Sequence, residues 1–145
     1  YKDSISGSLH LAFTMGVIDP NDPLLVRVHI PNTVRDICDV YNSNRTSWSF
    51  SNALEKIAEQ GKGVAVLLSG EDYGQDLDQN IANVLSVGSE TASINRSGSD
   101  LTIGTGSQIL RDLGVGKMRL LSYPAKLNAI SGFDLEVVEF VEFEK

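Results

Sequence analysis

The fold turns on the stretch Leu24–Leu54, LLVRVHIPNTVRDICDVYNSNRTSWSFSNAL. Leu24–Ile30 is a near-continuous apolar run, which predicts a buried strand; its period of two places Arg27 and His29 on one face. Pro31 ends the run, because proline cannot donate to a ladder. Asn32–Ser47 reads as polar and irregular. A helix follows, with Ser47 or Ser51 as its cap and Gly61 as its stop, and with Leu54, Ile57 and Ala58 at helical spacing.

Outward from this stretch the pattern alternates. Ser8–Ile18 and the apolar Gly63–Ser69 read as strands, and Asp19–Pro23 reads as a turn, since two prolines and Asx residues cannot continue a ladder. Gln75–Leu85 predicts a helix with Leu77, Ile81, Val84 and Leu85 inward. Ser86–Asp100 is rich in serine and glycine and reads as a loop. Gly104–Leu113 predicts a helix ended by Gly114. Lys117–Ser122, Pro124–Ile130 and Leu135–Phe143 read as strand, short helix and strand. Short connections between alternating strands and helices predict an α/β domain, three layers with a mixed sheet between helices.

The chain has 145 residues, a formal net charge of −7 and one cysteine, Cys38. That length is one domain's worth and can bury a real core. The acidic balance argues against nucleic acid or an anionic membrane as partner, since both require a basic face. A lone cysteine excludes an internal disulfide and a cysteine-rich metal site, and it fits a reducing cytoplasm. No apolar run approaches the length of a membrane span. The opening YKDSISG has no initiator methionine, so the domain, residues 1–145, is expected to be a fragment of a longer chain.

The residues alone give modest chemistry. His10 and His29 have no neighbouring ligand types and read as core-edge or surface histidines. Cys38 lacks an evident base and reads as a half-buried thiol. Asn44–Thr46 and Asn95–Ser97 match the N-glycosylation pattern, which without a secretory signal is coincidence. Gly104-Thr105-Gly106 lacks the third glycine of a dinucleotide fingerprint and reads as a helix-entry turn. Glu71 and Asp72 follow an apolar strand, where open α/β sheets place ligands; they either bind a metal or an amine, or complement a helix dipole.

Four stretches, Leu24–His29, Ala53–Leu68, Gly106–Leu121 and Leu135–Glu139, together with the opening Tyr1–Pro20, resemble the GTP cyclohydrolase II family of riboflavin biosynthesis, in the family's order. In that family the domain commonly follows a 3,4-dihydroxy-2-butanone 4-phosphate synthase domain in one polypeptide. Active members hold zinc with three cysteines, in patterns like RVHSEC and CDCG. By this resemblance Asn32, Asn44 and Thr46 stand at the three zinc-ligand positions, and neither amide nor hydroxyl replaces a thiolate. Ser99 and Leu101 stand where the family has its catalytic Asp and Arg. Matches to nucleotide-contacting positions survive at Arg27, Glu71, Ser122 and Lys126. The resemblance therefore implies a domain that has lost zinc and GTP hydrolysis and serves assembly or regulation beside a synthase domain, as a cytoplasmic homodimer. Two alternatives are a nucleotide-hydrolysing enzyme with non-zinc metal chemistry, such as Mg²⁺ accompanying a nucleotide, and a sensor that binds GTP without turnover.

Overall fold

In a computed structural model, residues 1–38, 48–69, 81, 96–124 and 130–143 are described. Five strands form one sheet: β1 (Leu11–Met15), β2 (Leu24–His29), β3 (Gly63–Leu67), β4 (Lys117–Leu121) and β5 (Glu136–Val141). Their spatial order is β1-β3-β2-β4-β5. β2 lies parallel to β3 and β4, and β4 parallel to β5, while β1 runs antiparallel to β3. The sheet is thus mixed, as expected: the strands of the alternating part run parallel, and β1, which precedes that part, is the antiparallel one.

The apolar run of β2 makes it the central strand. Leu24, Leu25 and Val26 are buried, and they point alternately into two cores. Leu24 and Val26 join Val64, Val66, Ile109, Leu110 and Met118 on one face. Leu25 joins Trp48, Ala53, Ile57, Ala65 and Leu121 on the other. Each core is closed by a helix: α2 (Phe50–Gln60) covers the Leu25 face and α3 (Arg96–Asp112) the Leu24 face. The chain moves one way across the sheet from β2 to β3 and the other way from β3 to β4. Right-handed crossovers then put the connecting helices on opposite faces.

Several expectations change. The cap of α2 is Ser49, not Ser47 or Ser51; its side chain accepts from the Asn52 N–H, beside the buried Trp48. Gly61 stops that helix in the left-handed conformation, as expected. Ala58 is exposed, and Ala53 takes its place in the core. Within the stretch read as irregular, Thr33–Asp36 forms a short helical turn, α1. Arg96–Asp100, read as part of a loop, is the start of α3, so Gly104-Thr105-Gly106 lies inside the helix. It is therefore no helix-entry turn, and its amides are spent on the helix ladder. Gly106 is small for a reason: a Cβ there would meet Val28 Cγ1 at 2.8 Å. Ile81 is helical but exposed, and the rest of the helix expected at 75–85 lies outside the described residues, as does most of the one expected at 124–130. Ile130–Phe133 forms a 3-10 turn.

Candidate functional site

The parallel strands end together, and their carboxyl ends bring β2 and β4 to one rim. At that rim the polar half of β2 forms a connected network. The Arg27 guanidinium donates to the carbonyl oxygens of Leu121 at 2.7 Å and Trp48 at 3.1 Å. Its Nε donates to His29 Nδ1 at 3.2 Å, and a terminal nitrogen lies at the same distance from that atom. His29 is fully buried, and its Nε2 lies 2.7 Å from Asp36 Oδ2. The same carboxylate oxygen accepts the Asn32 backbone N–H at 2.7 Å.

These contacts fix the histidine tautomer. A guanidinium only donates, so His29 Nδ1 is the acceptor and the ring proton sits on Nε2, where it is donated to Asp36. A positive group and a negative group thus flank the imidazole, and among the described residues the buried side-chain polar atom left without a partner is elsewhere, at His10 Nε2. Together these contacts clamp four segments: β2, the end of β4, the residue preceding the α2 cap, and the turn after Pro31.

Of the positions singled out in the sequence, the structure gathers Arg27, Asn32 and Ser122 at this rim. Ser122 follows the carbonyl that Arg27 grips, and its N–H donates to Leu120 and Val141. Ser99 and Leu101 lie in the first turns of α3, while Asn44, Thr46, Glu71 and Lys126 fall outside the described residues, as does Asp72. Cys38 is exposed just past α1. Sequence reasoning missed Asp36 and placed His29 too near the surface. The spacing of Arg27 and His29 carried a signal for half of the network; the turn that returns Asp36 to them carried none.

Of the three zinc-ligand positions that the resemblance implies, the described residues include Asn32 alone. Asn32 offers a neutral amide, its main chain is tied to Asp36, and both nitrogens of His29 are engaged. Among the described residues no three His, Cys, Asp or Glu side chains converge. A separate groove of about 980 Å³ opens between α2 and β5. Glu55, Glu59, Glu139 and Glu142 line it beside Trp48 and Tyr123 and outnumber the one lysine there, Lys56, so the net charge of the lining disfavours phosphates. No helix among the described residues is long and apolar enough to cross a membrane.

A mixed sheet covered by helices, with a polar network at the carboxyl ends of its parallel strands, defines an α/β domain. The chain belongs to the GTP cyclohydrolase II family, whose model matches residues 1–142. It is 48% identical over 145 residues to a 3,4-dihydroxy-2-butanone 4-phosphate synthase of Pseudomonas aeruginosa, covering 99% of this chain and 38% of that protein. A protein of the same name from Pseudomonas syringae is 40% identical over 144 residues, again 99% and 38% of the two chains. The riboflavin biosynthesis protein RibBA of Aquifex aeolicus is 38% identical over 152 residues, covering 97% of this chain and 36% of that one. The chain thus spans less than two fifths of the length of these relatives.

Proposed function

We propose that this is a GTP cyclohydrolase II-like domain that does not hydrolyse GTP and that serves assembly or regulation beside a dihydroxybutanone phosphate synthase domain of the same cytoplasmic polypeptide. The observation that carries the reading is the state of the β2 rim. Asn32, at the first zinc-cysteine position, is tied by its main chain to Asp36, and the guanidinium of Arg27 is committed to two carbonyls and His29. Groups that would polarise or bind a nucleotide are instead spent on holding the fold. The link to a synthase is supported by the names of the relatives: those at 48% and 40% identity are named for it, and the Aquifex protein at 38% is a riboflavin biosynthesis protein RibBA. Assembly in this reading includes a homodimer.

The test is an assay of the full-length polypeptide for formate released from GTP, with bound zinc measured on the same sample. The expected result is no formate and no stoichiometric zinc, with 3,4-dihydroxy-2-butanone 4-phosphate still made by the synthase part. Formate release that tracks bound metal would overturn the reading.

A further inference from the structure

The sheet has two edges of opposite character. β5 carries Glu136 and Glu139 on its exposed positions, and such charges discourage further pairing. β1 has no such guard: residues 4–18 contain no Asp, Glu, Lys or Arg. Leu9, Leu11, Phe13 and Met15, alternate residues of one face, are 64%, 54%, 43% and 44% exposed. An uncharged strand edge that no described residue pairs beyond His10, with an apolar face, is a seat for another strand.

Main-chain directions show which way that strand runs. His10 donates its N–H to the Tyr1 carbonyl at 2.8 Å, and the Tyr1 nitrogen donates to the His10 carbonyl at 3.0 Å. Lys2 bridges Leu9 in the antiparallel sense, and the Asp3 N–H donates to Ser8. Asp3 closes the turn of this hairpin, its carboxylate accepting the N–H groups of Ile5 and Ser6. The ladder lies on the side of β1 away from β3: the Leu68 N–H, opposite His10, donates to His29 across in β2. By the alternation of an antiparallel strand, the N–H and C=O groups of Ala12 and Thr14 point to the same outer side as those of His10.

We infer that the outer edge of β1 is the seat of a sixth strand, supplied by the residues that run into Tyr1 in the longer polypeptide. The register is already set by the Tyr1–His10 pair. The residue two before Tyr1 falls opposite Ala12 and the residue four before it opposite Thr14, continuing the pairing that Lys2 and Tyr1 begin. Alternate side chains of that strand lie beside Leu11, Phe13 and Met15 and cover them. A second copy is the weaker candidate, because Tyr1–Asp3 already fills the edge along Ser8–His10 and leaves it only a short segment to pair with. A strand joined through a formed turn instead pairs at high effective concentration.

The inference rests on the part of the proposed function that joins this domain to a longer polypeptide, and its test is independent of GTP chemistry. Residue-resolved amide exchange on the full-length polypeptide reads the Ala12 and Thr14 N–H groups directly. The expected result is exchange at least about 100-fold slower than for unpaired amides, at every protein concentration. Fast exchange at both positions overturns the inference. Protection that appears only together with a doubling of mass assigns the edge to a second copy and overturns it too. A mature polypeptide with no residues before Tyr1 overturns both the sixth strand and the synthase reading, whereas fast exchange in a polypeptide that carries the synthase overturns the strand alone.

Discussion

The two halves of β2 do opposite work within six residues. Leu24, Leu25 and Val26 hold the domain by burial, and their neighbours above and below are all apolar. From Arg27 to His29 the strand holds it by hydrogen bonds, reaching out to Leu121, Trp48 and Asp36. The first half has no need of a partner of fixed identity, since volume and shape suffice for a core. The second half depends on donor and acceptor matching and fails if a single member is lost.

The contrast is broken or sharpened by substitution. Leu24→Ala should cost most, about 2–5 kcal/mol, because Leu24 is 1% exposed and leaves a cavity between the sheet and α3. Urea denaturation measures it, and a smaller loss would mean that the site collapses around the alanine. Asp36→Ala should cost less, about 1–3 kcal/mol, by stranding the buried His29 Nε2–H and the Asn32 N–H. If that variant is as stable as the parent, the Asp36 end of the network does not hold the fold.

The smallest effect is one of pH, away from β2. The backbone N–H groups of Ser6 and Ile5 hold the Asp3 carboxyl below its ordinary range. A lowered folded pKa means that the stabilisation is present above the ordinary carboxylate value and is lost as pH falls through the lowered one. The Ile5 and Ser6 amides should therefore exchange faster only in that acidic window, and Asp3→Asn should flatten the dependence. Amide exchange that tracks global unfolding instead would show that the turn has no local titration.

Some of this was legible in the letters. The apolar run of β2, the glycine stop of α2 and the alternation of elements gave the architecture, because burial and period are properties of neighbouring residues. The extent of α3 was not. Arg96–Asp100 has the composition of a loop, and the helix persists there because Ile103, Ile109 and Leu110 anchor its remaining turns to the sheet. The cap of α2 was ambiguous for a chemical reason, since Ser47, Ser49 and Ser51 carry the same hydroxyl and only the burial of Trp48 selects among them. In the site, Arg27 and Asn32 were legible as positions, but Asp36 was not, because its role depends on how the chain turns after Pro31.

Trp48 is the only tryptophan in the chain. Its indole N–H donates to Val141 at 2.8 Å, its ring meets Phe143 edge-on at 5.0 Å, and its carbonyl receives Arg27. This chain thus carries one indole fluorophore, wired to the last strand on one side and to the guanidinium on the other. Its emission reads the integrity of the β2 rim without a label, so a ligand or a neighbouring domain that disturbs the clamp announces itself as a red shift from this single ring.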